Sequence, residues 1–255
     1  MANIITSIRI VCAVILIFCP TFSIWFYMLY DMCNSNHCRY SRRSLYSNRE
    51  GNKIDNFILQ KNIMIKLKYG NTNTFFIKGD QGGLLIDTDY AGTLPAFYKA
   101  IKDADLKMDE IKYVLATHYH PDHMGLIGQL IEQGVKLLLV DLQKSSAHFS
   151  DKIFEKDKLP FSVINEADAE IISCEKSRKF LSAIGISGEI VHTPSHSEDS
   201  ISLILDDGSC FVGDLDPIEY IEAYENNTAL KNDWNRIMSY RPNMVYFAHR
   251  PEKKL

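Results

Sequence analysis

The sequence predicts an α+β fold, a four-layer αββα sandwich of two mixed sheets flanked by helices and preceded by an apolar N-terminal helix. Two observations support this fold class. From residue 63 to residue 255, short β-rich runs come in groups with amphipathic helical segments between them, as expected for sheets covered by helices on their outer faces. Residues 10–30 contain no charged side chain, so they predict a helix that is apolar on every face.

The overall composition is that of a folded globular protein. Hydrophobic residues make up 46% and charged residues 24% of the 255 residues, which excludes a disordered chain. The formal net charge of −4 argues against nonspecific nucleic-acid binding, which requires basic surfaces, so no nucleic-acid partner is expected. The six cysteines are too few for a disulfide scaffold, and no pair has the CxxC spacing of a zinc ribbon.

The apolar N-terminal segment, residues 1–33, favours a membrane anchor. Its core, residues 10–30, is long enough to cross a bilayer as a helix, and aromatic side chains gather at its far end (Trp25, Tyr27 and Tyr30). Three arginines in residues 39–43 outnumber Arg9, so the positive-inside rule places the following domain in the cytoplasm. We therefore expect membrane association through residues 10–30, with residues 34–62 as a polar linker.

Three other interpretations of this segment stay open. A secretory signal peptide would need a cleavage site of small residues, and none follows the apolar run. An interior core helix would also hide a segment that is apolar on every face. Translation could instead start at Met64, at the natural first strand of the next domain, which would leave a cytoplasmic protein without the segment.

The elements of residues 63–255 follow from hydrophobic periodicity and turn residues. The first half predicts strands at 63–69, 74–78, 83–88, 111–117 and 135–140, helices at 93–104 and 123–133, and a loop with some helix at 141–160. The second half predicts strands at 169–173, 189–193, 200–206, 209–214 and 244–249, and helices at 176–185 and 227–240.

A group of metal-binding residue types lies where the buried strand 111–117 ends. In extended backbone, residues two apart point the same way, so His118 and His120 can approach one metal ion. Asp122 and His123 lie where the chain turns into the next helix and can face a neighbouring position. Imidazole and carboxylate are ligands of zinc and similar divalent ions. One such histidine alone would be an ordinary surface residue, but four such residues in this order predict a metal site.

This HxHxDH segment resembles the signature of the metallo-β-lactamase-fold hydrolases, and the resemblance extends over residues 63–255. The later motifs of that family occur in family order, as Asp87 in LLIDT, His196 in HTPSH, Asp214 in FVGD and His249 in YFAHR. The resemblance implies two groups of metal ligands, with His118, His120 and His196 on one ion, Asp122, His123 and His249 on the other, and Asp214 shared. Asp87 is implied to orient a ligand. Ser195 and Ala248 stand where the family has glycine, which puts the geometry of those two loops in doubt.

The resemblance implies a metal-dependent hydrolase that acts on a small molecule. Two divalent ions, expected to be zinc with iron or manganese as alternatives, would hold a bridging hydroxide that cleaves an ester, lactone, thioester or related bond. Asp122 is expected to be the catalytic residue, because it can both ligate a metal and orient the nucleophile. Residues 141–160 and the loop after Asp214, with Tyr220 and Tyr224, are expected to form the rim of the cleft.

Two other classes of function stay open. Persulfide dioxygenases keep HxHxDH but use a single iron, so an iron-dependent oxidoreductase on the same fold is the alternative. Flavodi-iron proteins resemble the chain less, because they have a carboxylate where His120 stands. A non-catalytic binding module would be marked by the loss of ligands, and here no ligand of the pattern is lost.

Overall fold

The computed structural model describes residues 63–80, 82–223 and 227–255. Within these ranges the strands are β1 Met64–Lys68, β2 Asn73–Gly79, β3 Gly82–Ile86, β4 Ile111–Leu115, β5 Lys136–Val140, β6 Glu170–Ile172, β7 Gly188–His192, β8 Ile201–Leu205, β9 Ser209–Phe211, β10 Met244–Tyr246 and β11 Lys253–Lys254. The α-helices are α1 Leu94–Asp103, α2 Pro121–Met124, α3 Ile127–Glu132, α4 Asp151–Lys156, α5 Cys174–Ala183, α6 Tyr220–Ala223 and α7 Thr228–Ser239. Short 3₁₀ helices lie at Met108–Glu110, Asp141–Ser146 and Glu166–Asp168.

The strands form two mixed sheets. The first has the order β1-β2-β3-β4-β5-β6, in which β1 to β3 are an antiparallel meander and β3 to β6 run parallel. The second has the order β11-β10-β9-β8-β7, with β9 and β10 parallel and the other pairs antiparallel. Parallel neighbours need long crossover connections. Helix α1 lies in the β3–β4 crossover, and α7 lies in the β9–β10 crossover.

Apolar side chains divide among three clusters because neighbouring strand residues point to opposite faces. On β3, Leu84 and Ile86 belong to the cluster between the sheets, whereas Leu85 points outward to the cluster that includes Phe97 of α1. A third cluster packs the outer face of the second sheet against α7, where Trp234 is almost fully buried. The order of layers is therefore helix, sheet, sheet, helix, and the predicted α+β fold with two mixed sheets is confirmed.

The predicted helix 123–133 is instead two helices, α2 and α3, with a break at Gly125. A Cβ atom at Gly125 would lie 2.2 Å from the backbone nitrogen of Ala91, so only glycine allows this close approach. The backbone N–H of Leu126 donates to Oγ1 of Thr88 at 3.2 Å rather than to a preceding turn of helix.

The predicted strand 244–249 also ends early, at Tyr246. The carbonyls of Phe247 and Ala248 accept hydrogen bonds from the side chain and the backbone of Asn73, at 2.9 and 2.7 Å, instead of a neighbouring strand. Residues 247–249 consequently form a loop, and His249 lies on it. Strand β11 and helix α6 are two short elements that the hydrophobic pattern did not predict.

The predicted N-terminal apolar helix receives no support, since residues 1–33 and the linker 34–62 lie outside the described residues. In the part of the chain that the structure describes, every helix is too short or too polar to cross a bilayer.

Candidate metal centre

The seven predicted ligands lie at the ends of strands from both sheets. His118 and His120 follow β4, and Asp122 and His123 belong to α2. The other three come from the second sheet, where His196 lies between β7 and β8, Asp214 follows β9 and His249 follows β10. The structure brings all seven together, as three overlapping sets whose ligand atoms lie within 4.8 Å of one another: His118, His120 and His196; His118, His123 and Asp214; and Asp122, His123 and His249.

The first group consists of three imidazoles whose nitrogens converge. Nε2 of His118 lies 3.0 Å from Nδ1 of His120, and Nε2 of His196 lies 3.2 Å from the same Nδ1 atom. Zinc binds imidazole nitrogen at roughly 2.0–2.1 Å, so two nitrogens on one tetrahedral ion lie about 3.3 Å apart. The spacing of these nitrogens fits one divalent cation.

The second group combines a carboxylate with two imidazoles. Oδ2 of Asp122 lies 3.1 Å from Nε2 of His249, and that nitrogen lies 3.3 Å from Nε2 of His123. The other oxygen of Asp122 lies 3.8 Å from the same atom of His123. This donor set, one carboxylate and two imidazoles, is also one that divalent transition ions accept.

Asp214 lies between the two groups. Its Oδ2 atom is 3.4 Å from Nε2 of His123 and 3.7 Å from Nε2 of His196, while its Oδ1 atom is 3.3 Å from Nε2 of His249. Gly213, at a φ of 58°, makes this position possible. A Cβ atom there would lie 2.4 Å from the hydroxyl of Thr117, so the loop could not approach β4 with a larger residue.

The charges in the cluster shift the pKa values of its members in opposite directions. Burial lowers the pKa of His118, and the neighbouring His123 lowers it further. Burial would also lower the pKa of His123, but the carboxylates of Asp87 and Asp214 raise it to about 10. For Asp122, burial is outweighed by the hydrogen bond with His249 and by the charge of His123, which bring its pKa to about 2. Metal ligation requires neutral imidazoles and ionised carboxylates. The lowered pKa values of His118 and Asp122 favour those states, whereas a cation beside His123 would have to displace a proton from this imidazole.

Comparison with known proteins identifies the family. Residues 67–249 match the family model of the metallo-beta-lactamase superfamily. The chain belongs to this superfamily. A relative in Drosophila melanogaster, named Beta-lactamase-like protein 2 homolog, is 24% identical over 179 residues, which are 70% of this chain and 58% of that protein. The chain therefore spans less than two thirds of the length of this superfamily relative.

Two solved structures share the fold. A metallo-beta-lactamase family protein from Thermus thermophilus superposes with a TM-score of 0.57 at 17% identity, over 76% of this chain and 74% of that one. TTHA1623, solved in a di-iron-bound form, also gives a TM-score of 0.57, at 20% identity over 75% and 94% of the two chains. At these identities the likeness concerns the fold.

The two departures from the family's glycines leave the ligand loops in place. The backbone N–H of Ser195 donates to Oδ2 of Asp233 at 2.7 Å, which ties the loop before His196 to α7. The backbone N–H of Ala248 donates to the carbonyl of Gly213 at 3.0 Å, which joins the loops of His249 and Asp214. Both substituted residues are small enough for these approaches.

Buried polar side chains hold the loops of the first group. Asp199 accepts a hydrogen bond from the backbone N–H of Tyr119 at 2.8 Å and another from the hydroxyl of Ser197 at 2.8 Å, so it links the loops of His120 and His196. The fully buried Gln143 donates to the carbonyls of Ala116 and Asp199, at 3.1 and 3.0 Å. Neither residue was predicted from the sequence, because neither belongs to a motif.

The end of the β1–β2 turn and the first residue of β2, together residues 71–73, support the second group. The carbonyl of Asn71 lies 3.2 Å from Nδ1 of His249, and the hydroxyl of Thr72 donates to the carbonyl of Asp122 at 2.7 Å. The side chain of Asn73 donates to the carbonyls of Phe247 and Arg250, on either side of His249. The only local signal of this turn was its Asn-rich composition, which indicated a turn and nothing more.

A cavity of about 240 Å³ opens beside the cluster. It is lined by His196, Gly213, Asp214, Leu215, Asp216, Phe247, His249 and Arg250. No described residue of segment 141–160, which was expected to form the rim, lines this cavity. The ring of Phe149 in that segment, 59% exposed, lies with its centroid 5.7 Å from that of His120. Tyr220 lies beside Arg250, which lines the cavity, whereas Tyr224 is outside the described residues.

Proposed function

We propose that this superfamily member is a metal-dependent hydrolase of a small molecule, and that it cleaves an ester, lactone, thioester or related bond. The observation that supports this most strongly is the pairing of two ligand groups around one shared carboxylate, Asp214, beside an open cavity. A site built only for structure would be enclosed, whereas catalysis needs a face that substrate can reach.

The residues of the cluster would hold two divalent cations, with zinc expected and iron or manganese as alternatives. His118, His120 and His196 would bind one, Asp122, His123 and His249 the other, and Asp214 both. When bound, such a pair supplies a water of lowered pKa and an electrophilic contact for the substrate oxygen. No thiolate is in the donor set, so the site suits ions of borderline hardness.

Asp122 would be the catalytic residue. Its side chain is 35% exposed, and its pKa of about 2 keeps it ionised at neutral pH. It can orient the attacking water, accept its proton and deliver that proton to the leaving group. One oxygen of the carboxylate lies 3.1 Å from Nε2 of His249, and the other lies 3.8 Å from Nε2 of His123.

An iron-dependent oxidoreductase is the second candidate. The fold is shared with TTHA1623, which was solved in a di-iron-bound form, and the histidine and carboxylate donors here suit iron as well as zinc. Metal analysis and oxygen uptake distinguish the two candidates, because a hydrolase consumes no oxygen.

The test is a substrate panel on purified protein of known metal content. The panel contains an ester, a lactone, a thioester, a phosphodiester and a β-lactam. We expect hydrolysis of at least one of them, its loss after chelation and its return with zinc. If the protein has its full metal content but hydrolyses none of these compounds, and the iron-loaded protein consumes oxygen, the hydrolase proposal fails and the oxidoreductase proposal is supported.

We also propose that residues 10–30 attach the protein to a membrane, with the catalytic domain in the cytoplasm. The basis is the charge-free run and the arginines that follow it. Fractionation of cells that express the full chain, or residues 63–255 alone, tests the proposal. Recovery of the full chain in the soluble fraction would contradict it.

A further inference from the structure

Arg250 lies at the cavity of the metal centre and follows His249 directly in the chain. Its carbonyl accepts a hydrogen bond from Nδ2 of Asn73 at 3.0 Å, so the backbone at this position is fixed. Its guanidinium carbon lies 5.4 Å from the centre of the Tyr220 ring, a cation–π distance that restrains the long side chain. The lining of this cavity also includes the carboxyl groups of Asp214 and Asp216 and the imidazoles of His196 and His249.

The guanidinium makes no ion pair with any carboxylate of the described residues, although Asp216 lines the same cavity. Its one polar contact there is with the hydroxyl of Tyr220, at a long 3.5 Å. Arg178, by contrast, is bound by both Glu189 and Asp206. Several N–H donors of Arg250 are therefore available, in the planar arrangement that fits a carboxylate or a phosphate.

We propose that Arg250 determines substrate specificity by binding an anionic group of the substrate, a carboxylate or a phosphate. This inference rests on the proposed hydrolase function and names its substrate class, a small anionic ester, lactone or thioester. Arg250 is adjacent to a predicted ligand, so the anionic group would lie a short distance from the bond that breaks. A cavity of about 240 Å³ admits a short acyl chain with a charged end.

The test compares three 4-nitrophenyl esters of equal chain length, which end in a methyl group, a carboxylate or a phosphate. Each is measured with wild type, Arg250→Ala and Arg250→Lys. For the anionic esters we expect Arg250→Ala to raise KM about ten- to a hundredfold, the effect of losing charge-assisted hydrogen bonds, with little change in kcat. Arg250→Lys should restore part of the loss, and KM for the neutral ester should change less than about twofold. The anionic ester with the larger loss identifies the group.

A matched control removes a positive charge elsewhere. Lys102 is an exposed residue of α1 outside the cavity lining, and Lys102→Ala should leave KM for all three esters unchanged. Equal effects of Arg250→Ala and Lys102→Ala on KM would overturn the proposal. So would a rise in KM in Arg250→Ala that is the same for the neutral ester as for the anionic esters.

A binding measurement separates this proposal from the hydrolase proposal. Glutarate and inorganic phosphate are titrated by calorimetry into metal-loaded wild type and Arg250→Ala, whose metal contents are matched. We expect weaker binding of at least one anion by the variant. If the wild type hydrolyses none of the esters, the hydrolase proposal fails and this titration alone decides the role of Arg250. Identical binding of both anions would then overturn it.

Discussion

Asp87 places its Oδ2 atom 3.1 Å from Nδ1 of His123, on the side of the imidazole away from the metal centre. The same carboxylate accepts hydrogen bonds from the backbone N–H and the hydroxyl of Thr117, at 2.6 and 2.9 Å. One buried side chain therefore fixes both the strand end that leads to His118 and the ring orientation of His123. Asp87 has a φ of 56°, a left-handed conformation that aspartate and asparagine adopt more easily than other non-glycine residues.

Two replacements of Asp87 should separate its effect on metal affinity from its effect on the stability of the fold. Asp87→Asn keeps the size and the backbone conformation but removes the charge that faces His123, so we expect zinc affinity to fall about ten- to a hundredfold. Asp87→Ala also leaves the Thr117 N–H without a partner and should lower the free energy of unfolding by about 2–4 kcal/mol. Competitive zinc titration and urea unfolding measure the two effects. Wild-type zinc affinity in Asp87→Asn would show that Asp87 does not orient His123.

The side chain of Asn73 should control the second ligand group. Asn73→Ala removes two hydrogen bonds to the loop that contains His249, and we expect the affinity for the second zinc to fall tenfold or more while the first is retained. Calorimetric zinc titration of the folded variant resolves the two steps. Asn71 provides the matched control, since only its backbone carbonyl contacts His249. Equal losses in Asn71→Ala and Asn73→Ala would mean that the turn acts only through general stability.

Asp122→Asn should separate catalysis from metal binding. The amide keeps one oxygen for ligation but cannot accept the proton of the attacking water, so we expect turnover to fall about a hundredfold or more. Metal content should fall much less. Rates and metal content are measured on the same preparation, with the best substrate of the panel. Near-normal turnover would remove Asp122 from the mechanism.

The stability of the second sheet should depend on pH through Glu189. Burial would raise the pKa of this carboxyl, but hydrogen bonds from Tyr240 and Arg178 outweigh burial and lower it. A lowered pKa in the folded state stabilises the fold above the unfolded pKa of about 4.3, and that contribution is lost as the pH falls through the folded pKa. Glu189→Gln should therefore cost about 1 kcal/mol or less at pH 7, and the difference from wild type should vanish in acid.

The measurement for Glu189 is urea unfolding at a series of pH values from neutral to about 3. Glu155→Gln, at an exposed position of α4, serves as the control and should follow the wild type throughout. A constant difference between Glu189→Gln and wild type at every pH would contradict the assignment.

The HxHxDH segment predicted a metal site from its own residues, whereas His196, Asp214 and His249 could be named only through the resemblance to the family. HxHxDH is one continuous segment, and the later ligands each follow an apolar run that forms β7, β9 or β10. Hydrophobic pattern indicates where a strand ends, and side chains at strand ends on one edge of a sandwich converge. The same periodicity predicted the two mixed sheets.

Contacts between residues that are far apart in the sequence could not be predicted from local patterns. Asn73 and Arg250 are 177 residues apart, so the hydrogen bond between them leaves no mark on either local pattern. The early end of β10 has the same origin, because Asn73 takes the carbonyls that a strand would use. The break between α2 and α3 depends on how closely Gly125 approaches Ala91, which only the packed fold determines.

Anomalous diffraction from crystals grown with zinc tests most directly whether the seven side chains bind a pair of cations. We predict two peaks across the zinc absorption edge, one within about 2.1 Å of nitrogens of His118, His120 and His196. The second should lie among Asp122, His123 and His249, with Asp214 in contact with both. A single peak, or no peak within reach of these side chains, would contradict the dinuclear centre.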